Sequence, residues 1–408
     1  MAQNSKKLHA ANGKSAMRKT GILFFNNITT PSSGTAYHDG NVFHFDSISE
    51  LDMSVAWIVD LPYKNYTDSG FSSYANLRPS QYLRVGLSGI LRELGLKKNL
   101  EGAEVLGSLV DSIVSDLAEM IGANPYSQPY RLNFGALSLL LPNYYADFSK
   151  NQSEAVSVAL DNAYQANQGS LITKNPNNAK LHHFTFPRVA HFEYLMNQNF
   201  PINNVWKEMA QYKKPILTGV KKGKRLENFD EVKQQLEKLH TDTACILKVH
   251  VRGIEDTYMQ GFAFGVEGGR SNIRVWASLP EVINIMRYTE VEILSGYETA
   301  ASKLPLRPEI DLSINRYSYP RGIVAENIWV ALADKISINS VKRSTGIGVY
   351  LRAYDRLICG KLAEAFSLES YKIGGFGNGA VRVWARSQEA DKLNSIAARY
   401  GAVPDLKG

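Results

Sequence analysis

With 408 residues, of which 44% are hydrophobic and 21% charged, the chain has the composition of a globular protein with room for two or three compact domains. That balance excludes intrinsic disorder, and no apolar run approaches the roughly 20 residues that a membrane-spanning helix needs. Two cysteines, Cys245 and Cys359, exclude a disulfide framework, so a cytoplasmic protein without a membrane partner is expected.

The chain opens with MAQNSKKLHAANGKSAMRK, which has no hydrophobic stretch behind its charges and reads as a flexible basic arm rather than a secretory signal. GILFFNNITTPSSGTAYHDGNVFHFDS then reads as β structure, with a Pro/Ser/Gly turn between two aromatic-rich arms, and SVAWIVDLPY continues it. A helical pair follows. PSQYLRVGLSGILRELGL has Ser80 placed to cap it, and AEVLGSLVDSIVSDLAEMIG carries Leu106, Leu109, Val110, Ile113, Leu117 and Met120 on one stripe. LNFGALSLLL (132–141) is apolar throughout and must be buried, as helix or as strand. Residues 161–180, rich in Asn, Gln, Gly and Ser, read as an exposed loop. NFDEVKQQLEKLH has helical spacing at Phe229, Val232, Leu236 and Leu239, with Asn228 placed as its cap.

An internal echo marks the last third. GGRSNIRVWASLPEVINIMRYTE (268–290) is matched by FGNGAVRVWARSQEADKLNSIAARYG (376–401): a glycine-rich turn, a strand ending Arg-Val-Trp-Ala, then a helix with Glu281 or Glu389 in its first turn. Alternation sets Val275 and Ala277 opposite Arg274 and Trp276, and Val381 and Val383 opposite Arg382 and Trp384. The expected fold is therefore α+β, mixing helices with antiparallel sheet and carrying two similar hairpin-strand-helix units in the C-terminal third. The expected division is a basic arm over 1–20, an α+β portion over 21–165, a loop, basic patch and helices over 166–240, and a second α+β portion over 241–408.

Charge points to a partner. No acidic residue precedes Asp39, whereas Lys6, Lys7, Lys14, Arg18 and Lys19 are basic, and the net charge is +7. YKKPILTGVKKGKR adds Lys213, Lys214, Lys221, Lys222, Lys224 and Arg225 without one acid. Such patches attract polyanions by releasing counterions, although basic tails and loops also occur as plain solvated surface. Arg274 beside Trp276 and Arg382 beside Trp384 suit base stacking and phosphate contact, or else an intramolecular cation–π lid. Arg316 and Arg321 in INRYSYPRG are again interleaved with tyrosines.

QGFAFGVEGG (260–269) comes nearest to a motif. Gly261, Phe262, Ala263 and Phe264 fit the middle of an RNA-recognition strand, but too few residues separate it from VHVRGI (249–254) for a recognition module. Two adjacent antiparallel strands explain the pair, leaving Phe262 and Phe264 as core or as a stacking platform. GGFGNGAVRV precedes a strand where a phosphate loop would follow one, and STGIG is too short to count, so both read as turns needing positive φ. His182, His183 and His191 match no metal spacing, no nucleophile motif is present, and no cofactor is called for.

The expected function is thus non-enzymatic binding of nucleic acid, single strands favoured, as a subunit of a homo-oligomer or multi-subunit complex. The repeat-associated backbone proteins of CRISPR complexes, which polymerise along RNA, exemplify that role, although a glycine-rich turn before a late strand is all that aligns. The alternative is a self-assembling virion or shell protein whose Trp and Tyr side chains are interface anchors.

Overall fold

The computed structural model describes residues 20–79, 83, 86–121, 141, 144, 152–165, 179–186, 194–203, 205–210, 214–252, 272–306, 319–338 and 340–405. The chain divides into two compact units: Met1–Ala118 with Ala123–Leu132, and Glu119–Gly122 with Asn133–Gly408. The architecture is α+β, helices with mostly antiparallel sheets. Among the described residues no helix is long and apolar enough to cross a membrane.

The first unit runs β1 (Thr20–Phe25), β2 (Gly34–His38), β3 (Asn41–Phe45), β4 (Ala56–Val59), α1 (Tyr63–Asp68), β5 (Leu77–Pro79), α2 (Leu87–Glu93) and α3 (Leu100–Ile121). Its sheet has the order β3-β2-β1-β4-β5, with β1, β4 and β5 parallel and β1, β2 and β3 antiparallel. Leu23, Trp57 and Val59 face one side and pack with Phe45, Tyr66 and Phe71. The alternate residues, Ile22 and Ile58, turn to the opposite side and are equally buried. There α3 passes so close that a Cβ on Gly107 would lie 2.0 Å from the Tyr37 ring. Of the first helix of the expected pair, α2 spans Leu87–Glu93; the expected cap Ser80 lies outside the described residues.

The second unit comprises α4 (Glu154–Gln165), β6 (Lys180–Thr185), β7 (Lys207–Glu208), β8 (Ile216–Lys221), β9 (Lys224–Arg225), α5 (Phe229–Leu239), β10 (Thr243–Arg252), β11 (Asn272–Ser278), α6 (Leu279–Ile285) and β12 (Glu290–Ala300). It continues with α7 (Tyr319–Ala333), β13 (Ile336–Ile338), β14 (Val341–Arg343), α8 (Gly346–Leu368), β15 (Lys372–Gly377), β16 (Ala380–Ala385), α9 (Ala390–Arg399) and β17 (Val403–Pro404). A larger sheet has the order β11-β10-β12-β8-β9, with β7 also on β12; a smaller one has the order β15-β16-β6-β17; β13 and β14 pair alone. One core joins both sheets. Leu247, Val249 and Ile293 of the larger meet Phe184, Val381 and Val383 of the smaller through Leu362 and Phe366 of α8. Of the alternate residues of β10, on the face away from that core, Ala244 and Ile246 are also buried, α4 packing against β10 and β11, whereas Lys248 is exposed.

Two local details differ from expectation. Asn228 opens α5 without capping it; its side-chain amide donates instead to the Leu217 carbonyl at 2.9 Å. STGIG is no turn but the start of α8, where Thr345 Oγ1 accepts from the Gly348 amide at 2.9 Å. The echo can be compared only from its strands onward, because the glycine-rich turn before β11 lies outside the described residues. From there the copies diverge: β11 is a sheet edge leading straight into α6, whereas β16 is interior and reaches α9 through a 3-10 turn. Glu281 completes a capping box with Ser278 and also meets Arg356 of α8 at 2.6 Å, both side chains being almost fully buried.

Candidate nucleic-acid interface

Antiparallel partners share a face, so the register of β10, β11 and β12 fixes what the outer side of the larger sheet presents. Lys248 lies between Trp276 and Ser295, and His250 between Arg274 and Glu292. The core takes Leu247, Val249, Val251 and Ala277, which leaves Lys248, Arg274 and Trp276 on the outer side. Tyr297 joins them by stacking on Trp276, with ring centroids 5.5 Å apart and planes 20° from parallel. Lys248 Nζ lies 5.9 Å from the Trp276 ring centre. Trp276 is half-buried while Lys248 and Arg274 are exposed.

The carboxylates on this side are already engaged. Glu292 accepts from Arg252 and contacts His250 Nδ1 at 3.3 Å; Glu290 pairs with Lys221 at 3.3 Å. Lys248 and Arg274 form no ion pair among the described residues, so their charge is available to a ligand.

Beside this grid, β8 and β9 form a hairpin closed by Lys222 and Gly223, with φ of 48° and 73°. Two consecutive positive φ values define the tight turn whose handedness suits strand twist, which Asn-Gly or Asp-Gly normally supplies. The hairpins at Asp39-Gly40 and Asn378-Gly379 obey that preference. Lys222 does not, and a non-glycine side chain there costs roughly 1 kcal/mol. The turn thereby exposes a cation at its tip, flanked by Lys221 and Lys224.

The other expected residues are distributed differently. Arg382 and Trp384 sit on β16, on the outer side of the smaller sheet, where Arg382 pairs with His183 and Trp384 with Leu181. They do not share a platform with Arg274 and Trp276, which lie on the other sheet. Arg225 turns off the basic patch, stacking 4.8 Å over the Phe229 ring and pairing with Asp230 at 3.2 Å. Arg321 is corrected outright: at 6% exposure in the first turn of α7 it is interior, on a helix buried on nearly every side, and offers no surface charge. Lys214 is exposed ahead of β8. Lys6, Lys7, Lys14, Arg18, Lys19, Lys213, Phe262, Phe264 and Arg316 lie outside the described residues, as does the question of QGFAFGVEGG. Sequence reasoning missed Tyr297, Lys248, His250 and Arg252. The alternation in LKVHVR carried a signal for the last three, but Tyr297 is brought opposite only by a register that shifts between Lys248 and Val249.

Other chemistry finds little foothold. Burial pushes the Cys245 and Cys359 thiols well above the usual thiol range, which keeps them protonated and unreactive. Among the described residues no three His, Cys, Asp or Glu side chains are placed to hold a metal. The start of α8 follows a strand, as a phosphate loop would, yet Asp161 occupies it, accepting from Ser344 N at 3.1 Å and Ser344 Oγ at 2.6 Å. Burial alone would raise the Asp161 pKa, but these bonds and Lys335 hold it below the usual value.

No protein-family model matches the chain, and no curated protein matches it. Among solved structures, Phi29 DNA polymerase complexed with primer-template DNA aligns with a TM-score of 0.42 and 9% identity, over 90% of this chain and 80% of that one. The same polymerase complexed with single-stranded DNA aligns with a TM-score of 0.42 and 10% identity over the same shares. The expectation of a non-enzyme is corrected by these matches, since a DNA polymerase is an enzyme; at this TM-score they assign no activity to the chain.

Proposed function

We propose that the chain binds single-stranded nucleic acid on the outer side of the larger sheet of its second unit. Bases stack on the Trp276–Tyr297 pair, and phosphates are held by Lys248, Arg274 and the Lys221–Lys224 hairpin. One observation carries the reading: a half-buried aromatic stack bordered by exposed cations, on a sheet whose opposite side supplies the core. Stacking accepts any base, so binding is largely independent of sequence.

The test compares the wild type with Trp276→Ala/Tyr297→Ala by fluorescence anisotropy, using short labelled RNA and DNA single strands and the duplex DNA. Losing the stack should weaken single-strand binding by about 10-fold or more, at roughly 1–3 kcal/mol per stacked base. Circular dichroism and thermal melting check that the variant remains folded. A folded variant that binds as tightly as wild type contradicts the proposal, and the RNA and DNA arms identify the polymer.

A further inference from the structure

A groove of about 660 Å³ lies between α5, α6 and α8, and neither Trp276 nor Tyr297 is among its lining residues. Three helices build it at helical spacing. Asp230, Lys233 and Glu237 come from α5; Ile283 and Arg287 from α6 and the residues just after it; Tyr354, Leu357 and Lys361 from α8.

Its charges are not balanced. Arg225 pairs with Asp230 at 3.2 Å and Lys233 with Glu237 at 3.0 Å, so both acids of the lining are used. Arg287 and Lys361 remain, each exposed and without an ion pair among the described residues. Tyr288 ties their supports together by donating to Glu364 at 2.7 Å, one helical turn along α8 from Lys361. Arg287 lies 5.6 Å over the Tyr288 ring, which pre-orients its guanidinium. Tyr288 is half-buried in the wall, with the buried rings of Phe229 and Tyr354 behind it.

Two cations lining one cavity of this size, with no ion pair among the described residues, call for a compact dianion, and a guanidinium with an ammonium suits a phosphate monoester. The half-buried Tyr288 ring favours a planar group attached to it. We infer that the groove is a second site that takes a nucleotide 5′-monophosphate, with Arg287 and Lys361 on the phosphate. The nucleotide is either free or the 5′ end of a strand. Arg225 faces this groove whereas Lys221 and Lys224 pair across the hairpin on the other side, so the two sites are separable by mutation.

The test titrates wild type and Arg287→Gln/Lys361→Gln with adenosine 5′-monophosphate, adenosine, and oligonucleotides bearing a 5′-phosphate or a 5′-hydroxyl. Both replaced side chains are exposed, so the variant should melt as wild type does. Wild type should bind the monophosphate in preference to adenosine, with at least a tenfold loss in the variant, which assigns a free nucleotide. A tenfold preference for the 5′-phosphorylated strand that disappears in the variant assigns a strand end instead. Either result should persist in Trp276→Ala/Tyr297→Ala, which separates this site from the sheet. No phosphate-dependent binding by wild type, or equal binding by the groove variant, overturns the inference.

Discussion

In the first unit every residue of β1 and β4 is buried, whereas β12 and β16 of the second alternate between buried and half-buried. The first pattern belongs to strands covered on both faces, the second to strands that keep part of one face open; β10 combines them, with residues 244–247 all buried and Lys248 exposed. A doubly covered sheet offers a ligand only its ends and edges. A singly covered one presents side chains on a rigid grid, with cross-strand neighbours about 5 Å apart. Stacking and phosphate contacts therefore have a place on the open part of the larger sheet of the second unit and none on β1 and β4 of the first, where only the edge strand β3 is exposed.

That contrast can be broken with one kind of substitution made twice. Ile58→Glu puts a carboxylate into a fully buried position of β4, and Lys248→Glu puts one on the outer side of β10. The first should cost about 4 kcal/mol or more, enough to unfold its unit, because an unpaired buried charge has no partner. The second should leave stability within about 0.5 kcal/mol while weakening single-strand binding several-fold. Denaturant titration and anisotropy on the two variants decide it. Comparable destabilisation by both would mean that the outer side of the larger sheet is covered too.

A smaller effect sharpens the picture of the doubly covered sheet. Asp111 of α3 is half-buried over β2, where burial raises its pKa from the ordinary 3.8 to about 6; Tyr37 Oη, donating at 3.4 Å, only partly offsets this. A raised carboxyl pKa means that the folded state binds the proton more tightly than the unfolded chain. Asp111 is then neutral in its effect below about pH 4 and increasingly destabilising as pH rises toward 6 and beyond. Asp111→Asn should raise stability at pH 8 by roughly 1 kcal/mol after solvent screening, and leave it unchanged at pH 4. Thermal melts at the two pH values test this; an equal shift at both would assign the effect to packing.

Legibility in the sequence followed the same division. The α3 stripe was readable because one helix face does all the packing, and the alternation in NIRVWAS and AVRVWA because one sheet face does. Arg321 was not readable: basic residues among tyrosines look alike in a surface loop and in a buried helix, and only the packing around α7 distinguishes them. Nor was the site's aromatic pair. Trp276 and Tyr297 are separated by α6 and meet across β10, past an irregularity in β12 that no periodicity announces. The Lys222-Gly223 hairpin was visible as charge, but its strained tip emerged only from backbone angles.

The most direct measurement is ultraviolet crosslinking of the intact protein to a single-stranded oligonucleotide, followed by mass-spectrometric mapping of the attached residues. Crosslinks are expected at Trp276 and Tyr297, displaced by excess unlabelled strand and diminished at high salt. Crosslinks confined to other segments, with none on β11 or β12, would contradict the proposed interface.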